Sequence, residues 1–101
     1  MSDVIEETYA SEQGEERPNI KVTVLGQEGD EKVIKINTHE PCTVLLRKGL
    51  HALYGEPGPN PNEYDLVFQG RVIEPLTKSV AEAGITDGVT VSILPKSISR
   101  G

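Results

Sequence analysis

The sequence has no tryptophan, one phenylalanine, one methionine and one cysteine in 101 residues. With aromatics this scarce, valine, isoleucine and leucine must supply the packing, and a 36% hydrophobic content can build one small core but not two. The single cysteine, Cys42, excludes an internal disulfide and fits a reducing compartment. No apolar run approaches membrane-spanning length, and the acidic start Met1-Ser2-Asp3 lacks the basic and apolar regions of a secretory signal. A soluble, cytoplasmic protein with no membrane partner is therefore expected. Bases are also too few and too scattered to displace counterions from phosphates, which argues against a nucleic-acid partner. The net charge of −6 is unevenly placed, because six of the sixteen acids, with one arginine, fall in residues 1–18.

Catalytic constellations are equally sparse. His39 and His51 lie twelve residues apart with no Cys or carboxylate at ligand spacing beyond chance neighbours, so no metal site is expected. Ser79 and Ser92 belong to no serine-histidine-carboxylate set, and the glycines match no phosphate-cradling pattern. The chain reads as a non-enzyme without a cofactor. Cys42 stands near a helix start, where a thiol pKa can fall; it reads equally as a small buried apolar group.

Residues 1–18 hold only Val4, Ile5 and Tyr9 as sizeable apolar groups, too few to offset the entropy of ordering them, and read as a disordered acidic arm. Ile20, Val22 and Val24 then alternate with Lys21, Thr23 and Leu25, the pattern of a strand with one buried face. Gly26-Gln27-Glu28-Gly29-Asp30 supplies a polar turn, and Lys32 to Ile36 resumes the extended pattern, giving a hairpin. The period then changes. Leu46, Leu50 and Leu53 recur at helical spacing beside Val44 and Leu45, so a helix is predicted over Thr43 to Tyr54, capped by Thr43 or Thr38 and closed by Gly55. Gly49 weakens its middle by about 1 kcal/mol relative to Ala, which points to close packing against the sheet.

Three prolines make Glu56 to Asn62 a stiff loop. Tyr64 to Phe68 reads as a third strand, Gln69-Gly70-Arg71 as a turn and Val72-Ile73 as a short fourth strand. Ser79 to Gly84 reads as one helical turn, and Val89 to Leu94 as the last strand. Beyond it come Pro95-Lys96-Ser97-Ile98-Ser99-Arg100-Gly101, with residues 96–101 read as a flexible tail. A terminal glycine has no Cβ and can pass through a narrow enzyme channel, so the tail is either a frayed end or the working end of the molecule.

The order hairpin, helix, strand, short strand, short helix, strand is that of an α+β, β-grasp fold: a mixed sheet of four to five strands packed on one helix. The stretch Leu66-Val67-Phe68-Gln69-Gly70-Arg71-Val72-Ile73, then Leu76, then Val80 to Val91, resembles the second half of ubiquitin and its relatives. The acidic arm before Ile20-Lys21-Val22-Thr23-Val24-Leu25-Gly26-Gln27 is similar to the small ubiquitin-related modifiers. Asn62-Glu63-Tyr64-Asp65-Leu66 after a proline-rich loop resembles single-domain bacterial ubiquitin-like modifiers. The resemblance covers residues 19–101 and places the ubiquitin-like domain at 19–95.

What the resemblance implies is a protein modifier. An activating enzyme adenylates the terminal glycine carboxylate with ATP, and the acyl group passes to enzyme thiols and then to an amine, forming an isopeptide bond. Gly101 matches the reacting position and Arg100 precedes it where such proteins usually carry a second glycine. The implied partners are activating and conjugating enzymes, a deconjugating protease and protein targets, with the chain itself a monomer. The fold also serves non-covalent interaction domains and sulfur carriers that use a terminal thiocarboxylate, and both stay open.

The resemblance likewise implies binding surfaces. Val67 and Leu94 occupy strand positions that match the exposed apolar patch of ubiquitin, or else pack the core or stand as isolated surface groups. Val33 and Lys35 on the second strand, with Arg47 or Lys48 on the helix, match the groove through which small modifiers accept an extended apolar peptide by strand addition; the alternative is a merely solvated face.

Overall fold

The computed structural model describes residues 19–100. Five strands form one mixed sheet: β1 (Asn19–Leu25), β2 (Glu31–Asn37), β3 (Tyr64–Phe68), β4 (Arg71–Val72) and β5 (Thr90–Pro95). Their spatial order is β2-β1-β5-β3-β4. The first and last strands are thus parallel neighbours at the centre, with Val24 opposite Val91, and an antiparallel pair closes each side. The helix α1 (Cys42–Tyr54) packs on one face of this sheet. These are the elements expected from the alternation and the 3.6-residue period, with ends shifted by about one residue, as helix and strand boundaries usually are.

The core follows from the two periods. Ile20, Val22 and Val24 of β1, Ile36 of β2, Leu66 of β3 and Val91 and Ile93 of β5 point inward. They meet Cys42, Leu45, Leu46, Gly49 and Leu50, which recur at i, i+3, i+4, i+7 and i+8 along α1. Gly49 is there because the backbones approach closely. A Cβ built at this position would run into the Ile93 side chain and stand 3.2 Å from Val24 Cγ1.

One expectation about α1 is corrected. Neither Thr38 nor Thr43 caps it; Pro41 occupies the N-cap with no side-chain acceptor. The free donors of the first turn instead reach the loop after β4: Cys42 N–H donates to Lys78 O (2.9 Å) and Thr43 N–H to Leu76 O (3.0 Å), where Thr43 Oγ1 also donates at 3.0 Å. Carbonyls from a segment more than thirty residues away replace the local cap, which sequence spacing cannot show. At the other end Gly55 closes the helix through its N–H to His51 O. At φ +82° and ψ −169° it adopts an extended glycine conformation and not the left-handed one expected of a closing glycine.

The remaining turns follow their residue chemistry. Gln69 and Gly70 have φ values of 55° and 79°, the signature of a two-residue type I′ hairpin turn joining β3 to β4. Ser79 and Glu82 form a reciprocal capping box, Ser79 N–H to Glu82 Oε1 at 2.9 Å and Glu82 N–H to Ser79 Oγ at 3.0 Å. That box starts the helical turn ended by Gly84 (φ +83°). The acidic arm expected over residues 1–18 and the terminal Gly101 lie outside the described residues.

Candidate functional site

Because facing residues of paired strands share a sheet face, the register assembles the surface opposite α1. Leu25 of β1 faces Ser92 of β5, Ser92 faces Val67 of β3, and Val67 faces Val72 of β4. In the adjoining row Leu94 faces Asp65. Val67 and Leu94 therefore do share the outer face, with Leu25 and Val72 beside them. All four are half-buried. The polar turn Gly26 to Asp30 adds nothing apolar here. Leu25 and Val72 were not singled out from the sequence, because each belongs to the patch only once its strand partner is known.

Val33 and Lys35 also lie on the outer face, at the far edge strand β2, and Val33 is 66% exposed. The two helix bases separate. Lys48 Nζ donates to the Lys35 carbonyl at 3.2 Å and so covers one acceptor on the β2 edge. Arg47 instead lines an open cleft with Leu50, His51 and the loop Glu56 to Pro61, away from β2. In that cleft His51 Nδ1 stands 3.7 Å from Glu56 Oε2.

Cys42 is fully buried, and its Sγ lies 3.7 Å from the Ser79 carbonyl. Burial pushes the thiol pKa up, which fits a small apolar core group. Among the described residues no group of three or more His, Cys, Asp or Glu side chains is placed to hold a metal ion. No helix among them is long and apolar enough to cross a membrane.

The carboxyl-terminal segment departs from the expected flexible tail. Lys96–Ser99 form a single helical turn, α2, whose Pro95 N-cap ends β5, and Arg100 N–H donates to Lys96 O at 2.9 Å. The turn folds back on β3. There Ser99 Oγ donates to Asp65 Oδ2 (2.6 Å), and Arg100 grips the same carboxylate with two donors, Nε to Oδ2 at 2.8 Å and Nη2 to Oδ1 at 3.0 Å. Nη2 also pairs with Glu74. Asp65 points to the outer face yet is only 2% exposed, because the turn covers it. Its buried carboxylate was not legible in the sequence.

The Arg100 hydrogen bonds hold the Asp65 pKa below its ordinary value, against the upward push of burial, with Ser99 adding to the lowering. A carboxylate with a depressed native pKa contributes stability that is present above the unfolded-state value, about 3.9, and is lost as pH falls through the native value. Asp65→Asn should therefore cost stability at pH 6, and the difference from wild type should shrink as pH falls below about 3.9. Urea melts across this range check it; a constant difference at every pH would show that Asp65 acts through packing alone.

No protein-family model and no curated protein matches the chain. Solved structures do. A de novo designed protein based on ubiquitin superposes with a TM-score of 0.66 at 24% identity, over 83% of this chain and 96% of that one. The UBL domain of Plasmodium falciparum Dsk2 superposes with a TM-score of 0.63 at 17% identity, over 76% of this chain and 97% of that one. The strand order β2-β1-β5-β3-β4, the single long helix on its inner face and these two likenesses establish a ubiquitin-like β-grasp fold for this chain.

Proposed function

We propose that this chain is a cytoplasmic, monomeric ubiquitin-like modifier, joined to target amines through Gly101 after ATP-dependent activation by a partner enzyme. The observation that carries the reading is how the end of the chain is attached. None of Lys96 to Arg100 belongs to the buried core, and no backbone hydrogen bond ties this turn to the sheet among the described residues. The side-chain hydrogen bonds that hold it to the sheet, among the described residues, come from Ser99 and Arg100. It can peel away from Pro95 onward while every core contact of β5 stays in place.

In the activation step the Gly101 carboxylate attacks the α-phosphorus of ATP and releases pyrophosphate. An enzyme thiolate then displaces AMP and forms a thioester, which a target amine resolves into an amide. The modifier supplies a carboxylate and an unbranched approach; the partner enzyme supplies phosphate handling and the nucleophile. Incubation with ATP, Mg²⁺ and the cognate activating enzyme should give a thiol-sensitive adduct containing the whole chain less one water. Gly101→Val, or an uncleavable extension past Gly101, should abolish it while the fold persists.

A second reading, a non-covalent interaction domain, is favoured by the apolar outer row of Leu25, Val67, Val72 and Leu94. It expects a partner whose affinity survives both tail changes and is lost in Val67→Asp. Sulfur carriage shares the adenylate and differs at the next step, where a thiocarboxylate on Gly101 replaces the thioester.

A further inference from the structure

We propose that Asp65 and Glu74 form a receptor for the Arg100 guanidinium, a latch that keeps residues 96–100 folded against the sheet until a partner draws them out. The inference deepens the modifier reading and rests on it for its consequence, since a tail that must enter an enzyme channel has first to leave this site.

Asp65 sits in mid-strand between Tyr64 and Leu66, at a position that disfavours aspartate, and a buried unpaired carboxylate there would be costly. Its hydrogen-bond partners among the described residues all come from the tail: Ser99 Oγ, Arg100 Nε and Arg100 Nη2. Glu74, just beyond β4, receives the same guanidinium from a second side. An open recess beside the two carboxylates is lined by Ile73, Pro75, Leu76 and Lys96, and its apolar surface suits the stem of an arginine. The site therefore has the feature that selects arginine over lysine, a carboxylate gripped by a planar fork.

The hold is made for release. Arg100 keeps 45% of its side-chain surface in solvent, so its pair with the exposed Glu74 is screened, and the Asp65 carboxylate regains water as the turn lifts away. Opening the latch breaks side-chain contacts only, and it uncovers Asp65 beside Leu94 on the outer face. Tail release and a change in the character of that face are one event.

The test uses the full chain and no activating enzyme. Heteronuclear NOE values for the amides of residues 97–100 should match those of the sheet in the wild type and fall to those of a mobile segment in Asp65→Asn and in Arg100→Gln. Removal of terminal residues by a carboxypeptidase should accelerate by about twofold to fivefold in both variants, the size expected when an ion-pair hold at the surface is lost. Arg100→Lys should behave like Arg100→Gln in the NOE, because an ammonium lacks the fork. An acetylated peptide of residues 97–101, added to Arg100→Gln, should shift the Asp65, Ile73 and Glu74 resonances; added to the wild type it should not. Unchanged NOE values and digestion rates in Arg100→Gln would overturn the latch, and unchanged sheet amide resonances in that variant show that its fold persists. If the latch opens as described while no variant forms the ATP-dependent adduct, the modifier reading fails and the latch stands.

Discussion

Leu50→Ala is expected to lower the free energy of unfolding by about 2–5 kcal/mol. Leu50 lies on the buried stripe of α1 and is only 1% exposed, among β-strand side chains that are themselves close to fully buried. Truncation removes three carbons from this core and leaves a cavity that neighbours of fixed rotamer fill only in part. A domain of this size is stable by about 5–15 kcal/mol, so the single change takes a large share. Urea melts should show a lower midpoint with an unchanged slope. A loss under about 1 kcal/mol would mean that the site collapses easily and that the helix leans on other contacts.

Gly49→Val should destabilise the protein by about 1–3 kcal/mol through the opposite mechanism, overpacking. In an exposed helix, replacing glycine would gain helix propensity. Here the new Cβ would meet the Ile93 side chain, and the Val24 Cγ1 methyl is only 3.2 Å away. Both neighbours belong to the central parallel pair β1 and β5 and are fully buried, so either must shift within a closely packed core. An unchanged or raised midpoint in Gly49→Val would show that α1 rides further from the sheet than described. The two changes sit one residue apart and probe one interface from both sides, a void under Leu50 and a collision at Gly49.

The fold was legible because its signals are local. Alternation at Ile20, Val22 and Val24 marks β1, and the spacing of Leu46, Leu50 and Leu53 marks α1. Gly49 in mid-helix announced a close approach that the structure places against Ile93 and Val24. What escaped the sequence is what depends on distant pairing. The cap of α1 is supplied by the carbonyls of Leu76 and Lys78, so Thr38 and Thr43 looked like caps and are not. The apolar row from Leu25 to Val72 exists only after four strands are in register. Asp65 and Arg100 are thirty-five residues apart, and nothing in either neighbourhood marks them as partners. Arg100 read as a residue standing where a second glycine is usual, whereas in the folded chain its guanidinium holds the Asp65 carboxylate.

This arrangement ties the two functional regions to one another. Asp65 belongs to the same outer face as Val67, Leu94, Leu25 and Val72, so the segment that leads to the proposed reacting end rests at the border of the proposed contact patch. A partner that docks on the apolar row and competes for Asp65 and Glu74 would expose the tail as it binds. Displacing one arginine side chain from two carboxylates is a small demand for a protein interface.

The central claim is covalent attachment through Gly101, and tryptic mass spectrometry tests it most directly. The chain, tagged at its amino terminus, is purified under fully denaturing conditions from the cells that naturally make it and digested with trypsin. Cleavage after Arg100 would leave a single glycine on the ε-amine of a target lysine. Target peptides carrying that remnant are expected, and are absent from cells expressing Gly101→Val. Recovery of the chain solely as free protein, with no glycine-bearing lysine at equal depth in the two samples, would contradict that claim.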